Sequence, residues 1–154
     1  MDVKTAFLNE DLKEKVCMSQ VEGFFVKGQE HKVCKLIKSL YGLKKAPWAW
    51  YGKLIEHLSK LDFKNFDLDD ANFFFEKVGK IVVYLVLYVD DILMIGKNES
   101  YITSIKKELK KGFEMTNLGY VHYYLGIEVT QHHKFIFLSQ KNYIGEILNK
   151  LGMD

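Results

Sequence analysis

From Ile81 to Ile95 the chain is apolar at every position except Tyr84, Tyr88 and the adjacent carboxylates Asp90 and Asp91. A membrane helix needs about 20 uninterrupted apolar residues, and the paired aspartates break this run. Its Val, Ile and Tyr content favours strands, so the pattern predicts two buried strands joined by a tight turn that carries the aspartates. An unpaired buried carboxylate is costly and two side by side repel each other, so something must compensate. A divalent cation bound by hard oxygen ligands is one solution. An acidic turn left in solvent is the other.

The remaining periodicities surround this hairpin. Short alternations at Val16 to Val21 and Lys32 to Leu40, separated by Gly23 and Gly28, predict strands. Pro47 suits the start of a helix running to about Leu61, on which Trp50, Leu54 and Leu58 recur every fourth residue with Tyr51 and Ile55 beside them. Asp67-Leu68-Asp69-Asp70 is a second carboxylate cluster whose polar surroundings favour a helix cap or turn over a metal site, and Asn72 to Lys77 reads as a strand leading to Gly79. Asn98 suits a helix cap, with Tyr101, Ile102, Ile105 and Leu109 facing inward and Lys106, Lys107, Lys110 and Lys111 outward. Such a basic face either approaches a phosphate backbone or is simply solvated. Leu118 to Thr130, punctuated by Gly119 and Gly126, and Phe135 to Leu138 predict a second hairpin, with His132 and His133 exposed in its turn. Ser139 caps a last helix whose stripe of Tyr143, Ile144, Ile147, Leu148 and Leu151 predicts core, a partner surface or both, and Gly152 suits its end.

Composition narrows the class. The 154 residues, 48% hydrophobic and 14% aromatic, suffice for one globular domain over 1–154, without repeats or low-complexity tracts. A net charge of +2 does not by itself imply a nucleic-acid partner. All 22 basic residues are Lys, so phosphate would be met by a lysine point charge, a backbone amide or a metal rather than a guanidinium fork. Lys44 and Lys45 precede a helix start, where free amides also point outward; they either hold an anion or form a solvated pair. Cys17 and Cys34 lack the close spacing of a zinc or redox site and read as reduced thiols, and His31 reads as a solvated residue. No basic-then-apolar leader follows Met1, and an intracellular protein is expected.

Four segments, in order, closely resemble the polymerase motifs of copia-type retrotransposon reverse transcriptases. They are Asp2 to Asn9 (DVKTAFLN), Leu40 to Tyr51 (LYGLKKAPWAWY), Tyr88-Val89-Asp90-Asp91, and Leu118-Gly119 through Tyr124-Leu125-Gly126-Ile127-Glu128-Val129. The resemblance runs nearly end to end. It implies an α+β fold, a polymerase palm whose antiparallel sheet is backed by helices, with part of the fingers. It implies RNA-directed DNA polymerase activity, a nucleotidyl transfer from dNTP to a primer 3'-hydroxyl through two Mg2+ ions, with Mn2+ as a substitute.

Carried over residue by residue, Asp2, Asp90 and Asp91 would be the catalytic, metal-binding triad. Phe7 would lie beneath the sugar and exclude a 2'-hydroxyl, and the backbone of Val3, Lys4, Thr5 and Ala6 would approach the triphosphate. Lys44 would contact the template, Lys45 the nucleotide, and Tyr88, Gly126, Ile127 and Glu128 the primer and template. The chain departs from the family where Lys45 replaces the usual Gln, Trp48 the usual Arg and Asn117 a common acidic residue. The family's fingers strands precede its first catalytic aspartate, and its thumb, connection and RNase H regions follow, so a fragment of a larger polyprotein is expected. Its partners would be RNA or DNA template with primer, dNTP and those other polyprotein regions, with no membrane. The expected location is cytoplasmic, in a virus-like particle, and the isolated fragment is expected to be weak or inactive. The rival reading is a non-catalytic remnant that binds nucleic acid or a protein partner; another palm-fold enzyme such as a cyclase leaves the Leu40 to Tyr51 segment unexplained.

Overall fold

A computed structural model describes residues 1–66 and 72–153. They divide into two compact units, Met1–Thr116 and Asn117–Asp154. In chain order the first contains β1 (Asp2–Val3), a 3-10 helix (Ala6–Asn9), β2 (Cys17–Ser19), β3 (Val33–Lys35), α1 (Ala46–Lys60), β4 (Lys64–Asn65), β5 (Phe73–Val78), β6 (Ile81–Tyr88), β7 (Asp91–Gly96), α2 (Glu99–Gly112) and β8 (Met115–Thr116). The second contains β9 (Tyr123–Tyr124), β10 (Ile127–Gln131), β11 (Ile136–Ser139) and α3 (Lys141–Leu151). Among the described residues the fold is thus mixed, with antiparallel sheets and three α-helices, and no helix is long and apolar enough to cross a membrane.

The main sheet has the order β4-β5-β6-β7-β1-β8 and is antiparallel at every pairing. Its centre is the hairpin marked by the apolar run, in which Tyr88 pairs with Asp91 across a two-residue turn, Val89-Asp90. The run was expected to be buried throughout. Instead burial alternates: Val83, Leu85 and Leu87 are in the core, while Tyr84 and Tyr88 are exposed. Strand geometry accounts for this, since successive side chains point to opposite faces and one face meets the helices.

α1 begins at Ala46 with Pro47 in its first turn, where a missing N–H costs nothing. It buries Trp50, Leu54 and Leu58, as the four-residue spacing predicts. α2 is capped by Asn98, whose side chain accepts from the Tyr101 N–H at 2.9 Å, and buries Ile105 and Leu109. These join Val3, Phe7, Phe74, Ile92 and Phe113 in a single core. Tyr101 also donates to Glu76, a largely buried carboxylate on β5, and that bond pushes the tyrosine hydroxyl up to about 12.

β2 and β3 pair apart from the main sheet, and the strand expected over Lys32 to Leu40 is limited to three residues. Both cysteines are free and exposed. Asp67-Leu68-Asp69-Asp70 lies outside the described residues.

In the second unit the strand order is β11-β10-β9. Leu125 and Gly126, both at positive φ, form the two-residue turn between β9 and β10, the backbone a tight hairpin requires. The Ser139 hydroxyl accepts from the Lys141 N–H at 3.2 Å at the start of α3. Left-handed Gly152 ends that helix, and the Met153 N–H returns to the Leu148 carbonyl at 3.0 Å. The stripe on α3 was expected to be core, a partner surface or both; none of its residues is buried, and Phe135 to Leu138 are exposed as well. A three-stranded sheet with one helix has too little interior to cover both faces.

The first unit contains one tight contact between helices. A Cβ at Gly112 would fall 2.4 to 3.0 Å from ring atoms of His57 on α1, and that ring is packed edge-on against Phe113 at 5.1 Å. Gly112→Ala should therefore destabilise the fold by about 1–2 kcal/mol despite alanine's better helix propensity. Denaturant unfolding of Gly112→Ala with and without His57→Ala checks this: removing the ring should recover most of the loss.

Candidate active site

The site begins with a strand of two residues. Asp2 stands opposite Asp91 on β7 and opposite Thr116 on β8, and Val3 stands opposite Met115. The Val3 N–H donates to the Asp90 carbonyl at 2.8 Å, and the Ile92 N–H to the Met1 carbonyl at 2.7 Å. Packing holds this short segment, because Val3, Ala6 and Phe7 are buried in the core. The pairing makes neighbours of the three aspartates, although Asp2 and Asp90 are 88 positions apart.

Their electrostatics follow from that placement. Partial burial, then repulsion from Asp90 and Asp2, raises the Asp91 carboxyl above the usual carboxylate range. The side chains are not gathered into a three-ligand cluster among the described residues. The donor set nonetheless suits a hard divalent cation: three carboxylates at adjacent backbone positions, one of which is destabilised by burial and by the others' charge.

Two aromatic residues to which the sequence reading assigned no role at the site hold the turn. The Trp50 indole N–H donates to the Val89 carbonyl at 2.7 Å, and the Tyr41 hydroxyl donates to Asp90 Oδ2 at 3.2 Å. Burial, followed by the Asp90 charge, raises the Tyr41 hydroxyl above its ordinary value. The Tyr41 ring also packs on Phe7, with centroids 4.3 Å apart. Both residues belong to the Leu40 to Tyr51 segment, but Trp50 sits on the helix's apolar stripe and so reads as core. Beside the turn a pocket of about 290 Å3 opens among Phe7, Trp48, Trp50, Tyr51, Tyr88 and Val89.

The other expected contact residues are distributed as follows. The Val3 and Lys4 amides are engaged by the Asp90 and Glu114 carbonyls, while Thr5, at positive φ, and Ala6 open the 3-10 helix that carries Phe7. The Lys4 ammonium pairs with Glu114 at 2.7 Å, and that of Lys45 pairs with Glu14. Lys44 is exposed in the loop before α1. Gly126, Ile127 and Glu128 lie in the second unit, where the Asn142 amide donates to the Glu128 carboxylate and the Tyr143 ring lies 3.8 Å from where a Cβ on Gly126 would sit.

A family model described as reverse transcriptase (RNA-dependent DNA polymerase) matches residues 1–154. The chain belongs to this family. It is 40% identical over 99% of its length to the retrovirus-related Pol polyprotein from transposon TNT 1-94 of Nicotiana tabacum, covering 12% of that protein. To the Pol polyprotein from transposon RE1 of Arabidopsis thaliana it is 39% identical over 99% of its length, covering 10%. A Ty5-1 transposon protein of Saccharomyces cerevisiae is 32% identical over 95% of the chain, which spans 47% of that relative. The chain thus spans about a tenth of the polyproteins and about half of the yeast protein. No solved structure matches it.

The raised Asp91 carboxyl has a definite consequence for stability. Because its folded-state pKa lies above the unfolded value, folding favours the proton. The associated stability is present at acid pH and is lost as pH rises through the folded pKa. At neutral pH in a chelating buffer, Asp91→Asn should raise the unfolding midpoint slightly, by less than about 1 kcal/mol given solvent screening. The gain should vanish near the carboxylate pKa. Thermal unfolding of both proteins from pH 4 to 8 measures it.

Proposed function

We propose that the chain is the palm and part of the fingers of an RNA-directed DNA polymerase from a copia-type retrotransposon. The reaction would join the 3'-hydroxyl of a primer to the α-phosphorus of a deoxynucleotide, releasing pyrophosphate. The observation that carries this reading is the register of Asp2 against Asp91, with the Val3 amide on the Asp90 carbonyl. It brings together the two acidic segments on which the chemistry depends.

Asp2, Asp90 and Asp91 would hold the metal. A pair of Mg2+ ions, when bound there, would lower the pKa of the attacking hydroxyl and neutralise charge on the triphosphate. The chain's own groups supply the positioning. Phe7, buried and braced by Tyr41, offers a rigid wall beneath the sugar, where a 2'-hydroxyl would collide with the ring. The backbone of Thr5 and Ala6 would approach the triphosphate, since the preceding two amides are occupied by the sheet. Lys44 and Lys45 would face template and nucleotide, with Lys45 exchanging Glu14 for phosphate. Tyr88, exposed at the end of β6, would lie along the primer-template, and Gly126 to Glu128 would grip the primer. The rest of the polyprotein would supply the remaining contacts to substrate.

The test joins the chain to the flanking regions of a related element and measures metal-dependent extension on an RNA template. Asp90→Asn should lower extension by the order of 10²-fold or more, the scale of losing one preorganised electrostatic partner. Extension that survives this change removes the assignment, and metal-independent RNA binding by the inactive protein favours a non-catalytic remnant. In the same assay Phe7→Ala should admit ribonucleotides, reducing sugar discrimination by about 10- to 100-fold. Unchanged selectivity would take Phe7 out of that role.

A further inference from the structure

The turn that presents Asp90 and Asp91 has an unfavourable residue at its tightest point. Val89 has φ of 53°, in the left-handed region. A two-residue hairpin loop with only its first residue at positive φ normally places Gly there, and a β-branched side chain resists that backbone. Such a residue persists only where its surroundings enforce it. Here the surroundings are identifiable: the carbonyl of Val89 accepts from the Trp50 indole at 2.7 Å, and the next carbonyl, of Asp90, accepts from the Val3 amide at 2.8 Å. Trp50 is 2% exposed and packs edge-on against Phe113 at 5.1 Å, so its N–H is aimed by the core and does not wander.

We infer that Trp50 is a positioning residue for the carboxylate site: its indole N–H fixes the Val89-Asp90 peptide and so holds the backbone from which Asp90 and Asp91 would reach a divalent cation. This rests on the reading of those carboxylates as metal ligands. The core role of the ring and the positioning role of the N–H are separable, because phenylalanine keeps an aromatic ring and loses the donor. The strain makes them separable a second way. If Trp50 acts by holding a left-handed residue, glycine at position 89, which takes that conformation freely, should make the donor dispensable.

The experiment uses the full chain with Mn2+ as probe, following binding by electron paramagnetic resonance and folding by circular dichroism. Trp50→Phe should fold and bind Mn2+ about tenfold more weakly, the scale of one strained residue released. Val89→Gly alone should stay within about threefold of the parent, and adding it to Trp50→Phe should restore most of the lost affinity. The parent protein gives an independent reading through its two indole protons: that of Trp50 should exchange slowly with solvent, and that of Trp48, 79% exposed, quickly. Rapid exchange at Trp50, unchanged affinity in Trp50→Phe, or a loss that Val89→Gly does not repair each overturns the inference while leaving the carboxylate reading intact. Parent binding that ignores both Asp2→Asn and Asp90→Asn overturns the carboxylate reading itself, and this inference with it. Should Trp50→Phe fail to fold on its own, the Trp50→Phe, Val89→Gly pair decides: Mn2+ affinity more than about threefold below that of Val89→Gly overturns the inference.

Discussion

The site depends on the insertion of a two-residue strand between β7 and β8. So short a strand has few ladder bonds, and closing a loop of this length carries an entropic cost that those bonds alone do not offset. The compensation is apolar: Val3, Ala6 and Phe7 enter the core immediately after Asp2, so the carboxylate is positioned by the burial of its neighbours. Phe7 is therefore both an anchor for the strand and, in the proposed chemistry, a wall of the substrate site. The segment cannot fold without placing that wall.

The hairpin opposite has the converse problem. β6 and β7 are apolar and stable, but they end in two like charges and a residue in a disfavoured backbone region. Side chains from the Leu40 to Tyr51 segment support it from two directions, Trp50 on the Val89 carbonyl and Tyr41 on the Asp90 carboxylate. Stored strain and unrelieved charge are what the proposed cation site would entail.

Much of this was legible in the sequence. The helices followed from Pro47, Asn98 and the spacing of Trp50, Leu54 and Leu58, and the central hairpin from an apolar run broken only at its tip. The partnership of Asp2 with Asp91 was reached through family motifs alone, because a strand of two residues has no periodicity of its own. Trp50 was seen as core, correctly, but a helical stripe says nothing of where an indole N–H points. Lys45 read as an anion holder or part of a solvated pair because its partner, Glu14, is far along the chain. The stripe on α3 was recognised as apolar while its exposure was not, since periodicity reports which face is oily and not whether anything covers it.

The alternating burial of β6 sets a rule for how such a gene can change. A strand that exposes every second side chain tolerates many single-letter replacements on its open face, where Tyr84 lies. It tolerates no change of length. Deleting one codon between Ile81 and Leu87 would turn the residues on one side of the gap over, driving part of the Val83, Leu85 and Leu87 face into water or shifting the acidic tip out of step with Asp2. Among drifting copies of a transposon, an in-frame deletion in this hairpin would therefore mark the loss of the site more surely than a larger number of substitutions around it.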